Sequence, residues 1–145
     1  MPATSTNFEF TVNSETTAQV AHPDDSSVQT FTSDKLKGDG YYRGGDGSHT
    51  VEFKLSDYIG KIKIQGSLAE TPGNTDWFDV SLTTNTSALT IDTTGAVQQN
   101  TETELAFTNG TTSTRMYNFS GNLVWVRAVL SNFTQGTVNY VRMNY

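Results

Sequence analysis

Apolar and polar positions alternate with a period of two in many short stretches of this chain, and a helical period appears in none. In 50–55, Val51, Phe53 and Leu55 fall on one side and Thr50, Glu52 and Lys54 on the other. Segment 61–68 repeats the pattern, with Ile62, Ile64 and Leu68 inward and lysines outward. The link 56–60 is short enough to join antiparallel neighbours. Phe8, Phe10 and Val12 make a first strand; Ala18 with Val20, and 28–32, make two weaker ones beside the turn His22-Pro23-Asp24-Asp25-Ser26-Ser27. Further on, 77–82 alternates with Phe78, Val80 and Leu82 inward, which leaves Trp77 on the opposite side, covering the core rim or meeting a sugar ring or a neighbouring subunit.

One stretch departs from alternation. Leu123-Val124-Trp125-Val126-Arg127-Ala128-Val129-Leu130 is apolar at nearly every position and reads as a central strand covered on both faces. Arg127 shares a face with Leu123, Trp125 and Val129, so it is expected to lie under another segment or subunit and to meet a carboxylate or carbonyls there. Asn132-Phe133-Thr134-Gln135 then connects to a last strand, 136–145.

Between these blocks, 83–114 is Thr-rich and sparsely apolar. Leu89 with Ile91, and Leu105 with Phe107, mark short strands, and Asn109-Gly110 is the strongest hairpin signal in the chain. The count comes to eight to ten short strands, with room for a single helical turn only at 33–37. The expected fold is all-β: one antiparallel β-sandwich domain over 1–145, jelly-roll-like, with an N-terminal extension at 1–7 and a variable excursion at 83–114.

Composition supports this reading. At 145 residues the chain suits one domain that buries about 70% of its unfolded surface. Its 34% hydrophobic content is low, and Thr, Ser, Asn and Gly fill the remainder, residues that suit pleated surfaces and turns. The net charge is -6, and the nine Lys and Arg are scattered, which argues against nucleic-acid binding. Without cysteine there is no disulfide framework or thiolate metal site. The first residues show no basic and apolar leader pattern, and no stretch approaches the roughly 20 apolar residues of a membrane helix, so the expectation is a product assembled in a cytoplasm without a membrane partner.

The chemistry-bearing residues nominate little. Segment 38–47 is glycine-rich but lacks the lysine of a phosphate loop and the ligand order of a calcium loop. It reads as turns at Asp39-Gly40 and Asp46-Gly47 that display Tyr41 and Tyr42 as a contact surface. His22 and His49 have no second ligand at metal spacing, and the fifteen carboxylates form no hydrolase motif. Neither a cofactor nor an enzymatic activity is expected. Four Asn-x-Ser/Thr sequons, at Asn85, Asn109, Asn118 and Asn132, suit a Thr-rich composition better than glycosylation.

Several blocks taken together, Asp39-Gly40-Tyr41-Tyr42, 46–51, Ile59-Gly60 with Ile62, Ile64 and Gln65, Asp76-Trp77-Phe78-Asp79-Val80, and 119–128 with 132–134 and 136–138, resemble small virion structural proteins of tailed phages, particularly those infecting marine cyanobacteria. The resemblance implies a non-enzymatic protein of the virus particle whose partners are other virion proteins and further copies of itself. Two functions follow from it. One is a capsid decoration protein that cements the particle surface; the other is a tail or neck subunit that binds host glycan. Tyr41, Tyr42, Trp77 and Arg127 are the candidate contact residues under either.

Overall fold

The computed structural model describes residues 5–23, 25–42, 46–84, 90–91, 97–98 and 101–144. Leu89, the sequon at Asn85 and residues 1–4 of the expected extension lie outside them.

The described chain is all-β and antiparallel apart from one 3₁₀ turn, Asp39–Tyr41. In order the strands are β1 (Thr6–Asn7), β2 (Phe10–Val12), β3 (Glu15–Thr17), β4 (Val20–Ala21), β5 (Gln29–Thr32), β6 (Leu36–Lys37), β7 (Ser48–Ser67), β8 (Phe78–Asp79), β9 (Leu82–Thr84), β10 (Thr90–Ile91), β11 (Val97–Gln98), β12 (Thr101–Glu102), β13 (Leu105–Ser120) and β14 (Trp125–Asn144). Strands β7, β13 and β14 dominate. β7 lies between the other two, pairing with β14 from Trp125 opposite Ser67 to Asn144 opposite Thr50, and with β13 from Leu105 opposite Ile62 to Ser120 opposite Ser48.

On the other side of β14 the N-terminal quarter of the chain pairs in reverse order. β6 meets Trp125–Val126, β5 meets 129–133, β4 meets Thr137–Val138 and β1 meets Arg142–Met143. The apolar stretch near Leu130 is therefore central, as its lack of alternation predicts, although the strand begins at Trp125. Leu123 sits just before it, buried against Gly66.

Three expected connections are not connections. The link at 56–60, the hairpin at Asn109-Gly110 and the turn at 132–135 all lie within continuous strands, at β-bulges. An unpaired residue shifts the inward set from odd to even positions, so each half of a bulged strand reads as a strand of its own. β7 shows the switch directly: Val51, Phe53 and Leu55 are buried before it, Tyr58 at it, and Ile62 and Ile64 after it. The backbone there is left-handed at Asp57 (φ 53°), Gly110 (φ 67°), Asn132 (φ 47°) and Gly136 (φ 89°).

The bulges coincide in space. A Cβ on Gly136 would lie 2.1 Å from the Asp57 carbonyl oxygen, and one on Gly110 2.4 Å from the Asp57 carboxylate. Tyr58 fills the interior at this level, fully buried between Phe107 and Phe133 (ring centroids 5.7 and 5.0 Å), with its hydroxyl donating to the Lys61 carbonyl at 3.0 Å. One apolar core runs along all three long strands and takes in Phe8, Phe10, Val80 and Leu82.

The described residues pair into one ten-stranded antiparallel sheet built on the three long strands and two two-stranded sheets, β2 with β3 and β10 with β11, an all-β fold as expected. Other expectations are corrected. Segment 33–37 is not helical: Leu36–Lys37 is a strand, and the helical turn follows it. Leu68 and Phe78 are exposed rather than inward, because β7 ends at Ser67 and β8 is a two-residue strand at the sheet rim. Residues 105–114 of the Thr-rich stretch belong to β13, and Thr6–Asn7 of the extension are paired into the sheet.

Candidate functional site: an aromatic and cationic strip

The glycine-rich segment, expected as two turns with positive φ, is a backbone-on-backbone latch. Gly38 and Gly40 donate to the carbonyls of Val124 and Leu123, both at 2.9 Å, and Gly47 accepts from Gly121 at 2.9 Å. A Cβ on Gly40 would fall 2.1 Å from the Asn122 oxygen, so close approach rather than a turn accounts for this glycine. Only Gly47 of the two expected turn glycines has positive φ (76°).

Beneath the latch lies His49, buried and stacked on Phe119 at 4.7 Å with the rings parallel. The Asp39 amide donates to His49 Nε2 at 3.1 Å. Nε2 is therefore the unprotonated nitrogen, and Nδ1–H donates to the Gly47 carbonyl at 3.1 Å. Burial holds the His49 pKa below its ordinary value. The buried network closes where the Gly47 amide donates to the Asp39 carboxylate.

This latch presents Tyr41 and Tyr42 to solvent, 44% and 54% exposed. Tyr41 meets Tyr42 edge-on at 5.3 Å and Trp125 at 5.2 Å. Lys37 lies over the Tyr41 ring at 4.6 Å and Lys35 over Trp125 at 4.7 Å, while the Trp125 indole donates to the Glu70 carbonyl at 3.0 Å.

Two residues along β14, on the same face as Trp125, comes Arg127. Its guanidinium lies 4.2 Å from the Trp77 ring, and its Nε donates to Gln65 Oε1 at 2.8 Å. Gln65 in turn donates to Asp79 at 2.9 Å, and Asp79 pairs with Lys63 at 3.5 Å. The cover over Arg127 is thus Trp77 of the same chain, and its polar partner is an amide oxygen rather than a carboxylate. Partial burial draws the Arg127 pKa down.

The two halves form one strip. Trp125 lines cavities of about 280 and 450 Å³ on either side of it, the first with Lys37 and Tyr42 and the second with Tyr41 and Glu70. Lys35 lines the first of these and a third cavity of about 440 Å³ with Trp77 and Arg127. All four sequence-nominated residues fall on this strip. Lys35, Lys37 and Trp125 were not nominated, although the Trp125 and Arg127 spacing of two already places both on one face. Among the described residues no cluster of three or more His, Asp or Glu can hold a metal ion, and no helix is long and apolar enough to cross a membrane.

No protein-family model matches the chain, and no curated protein matches its sequence. Solved structures do. The crystal structure of the SPBc2 prophage-derived protein YomS aligns with 97% of this chain and 91% of its own, at 16% identity and a TM-score of 0.52. The two share a fold. The N-terminal CBM22-1 and GH10 modules of Clostridium thermocellum xylanase 10B, solved with xylohexaose, align with 97% of this chain over 24% of theirs, at 9% identity and a TM-score of 0.37, too slight a likeness to bear on fold or function.

Proposed function

We propose that the chain is a non-enzymatic structural protein of a phage particle, specifically a capsid decoration protein that attaches through the aromatic and cationic strip. The observation that carries this reading is the fold shared end to end with a prophage-derived protein, in agreement with the sequence resemblance to phage virion proteins. The strip supports attachment to protein. Trp, Tyr and Arg are the residues that dominate protein interfaces, and here they are gathered on one surface of an acidic, Thr-rich molecule.

A glycan-binding tail or neck module is the second reading, favoured by the exposure of Tyr41 and Tyr42. Against it, a sugar needs an open ring face to stack on. Trp77 carries Arg127 on one face and Trp125 carries Lys35, and Tyr41 meets both of its ring neighbours at steep angles rather than forming a flat platform.

An electron-microscopy reconstruction of the phage particle tests the proposal. Density for this chain at regular positions on the capsid, with the strip against the shell, is the expected result. Density confined to the tail or neck, or a strip turned to solvent, overturns the decoration role.

A further inference from the structure

Resting on the virion reading, we infer that the Arg127 end of the strip is a receptor for carboxylates presented by an acidic segment of a partner protein. The inference begins with charge accounting. Among the described residues Lys61, Lys63 and Arg142 are each paired with a carboxylate, at 3.2, 3.5 and 2.8 Å. Five described cations have no such partner: Lys54, Arg115, Lys35, Lys37 and Arg127. Lys54 stands apart and Arg115 lies on Phe107 of its own strand, while Lys35, Lys37 and Arg127 lie together on the aromatic rings of the strip. In a protein of net charge -6, unpaired cations gathered on one surface complement an anionic partner.

Arg127 is the most developed of the three. The chain of contacts from Lys63 through Asp79 and Gln65 fixes its Nε, and Trp77 fixes the plane of the guanidinium. What remains is the terminal fork, which makes no hydrogen bond or ion pair among the described residues and borders the cavity of about 440 Å³ that Lys35 also lines. A planar fork held by packing and one hydrogen bond loses little freedom on gripping a carboxylate in two-point fashion. Asp34 lines the same cavity and sets a limit of two cations against one carboxylate, so a partner offering one or two acidic side chains is matched and a densely charged polyanion is not required. The occupied ring faces favour an acidic protein segment over an acidic sugar.

Trp77 and Trp125 are the only tryptophans in the sequence, so tryptophan emission, excited selectively over the six tyrosines, reports this surface alone. The test titrates the protein with a poly-glutamate peptide and, separately, with polygalacturonate. The expected result is a saturable fluorescence change with the peptide that weakens as salt rises. Arg127→Gln weakens it by about fivefold or more, the loss expected on truncating one energetically significant interface residue. Lys35→Gln weakens it in the same direction, whereas Lys61→Gln, whose lysine is already paired, leaves it unchanged. An absent response, or affinity unchanged in both Arg127→Gln and Lys35→Gln, overturns the inference; an equal or tighter response to polygalacturonate overturns it in favour of an acidic glycan. Failure of these titrations leaves the capsid location to be read from the particle reconstruction, and the reverse also holds.

Discussion

His49 shows how one buried side chain sets the position of a surface. Its neutral form accepts from the Asp39 amide and donates to the Gly47 carbonyl; a proton on Nε2 removes the acceptor and leaves the amide facing a second donor. The folded pKa lies below the ordinary 6.5, so between the two values the unfolded chain binds more protons. Stability from His49 is accordingly complete above about pH 6.5 and lost as pH falls through the lower folded value. Denaturant titrations between pH 7 and pH 5 are expected to show this decline, with a smaller one in His49→Gln. Tyr58 is the complementary case. Tyr58→Phe removes only the bond to Lys61, at about 1 kcal/mol, whereas Tyr58→Ala opens a cavity between Phe107 and Phe133 and costs about 3 to 5 kcal/mol in the same assay.

At the scale of the element, the bulges decide what each long strand does. β7 changes from odd to even buried positions across Asp57, and β14 from even positions in 126–130 to odd ones in 141–143. β13 keeps odd positions inward on both sides of Gly110, because its two register shifts offset each other, and each strand so serves the core along its length. Gly136 has both a left-handed backbone and a carbonyl in the space a side chain would need. Gly136→Val is expected to cost about 3 kcal/mol, or roughly 10 °C in Tm for a chain of this size, measured by thermal unfolding. The sequence disguises these features, because a bulge inside a strand and a turn between strands use the same residues. Asn109-Gly110 permits positive φ in either setting, and only the continuous partner β7 makes the strand run on.

For the whole molecule, the core and the strip occupy separate territories, so contact and folding can be tested apart. Tyr41 and Tyr42 stand proud of the core, and replacing both by Ala is expected to change unfolding free energy by about 0.5 kcal/mol or less. The same change is expected to weaken attachment to capsids in a sedimentation assay. A large loss of stability instead would assign the tyrosines to the latch rather than to an interface.

By itself the sequence determined that the fold is all-β, the inward residues of most strands and the centrality of the stretch around Leu130, because period-two alternation and its absence report burial directly. It also nominated Tyr41, Tyr42, Trp77 and Arg127, each conspicuous as an aromatic or charged residue at an outward or unexplained position. Tertiary structure alone decided that three pairs of apparent strands are three long ones, since strand continuity is set by the partner's hydrogen bonds and not by local composition. It alone also brought Trp77 from the loop before β8 onto Arg127 of β14, and Lys35 and Lys37 beside Trp125. Those residues lie tens of positions apart in the chain, and only the lateral order of strands makes them neighbours.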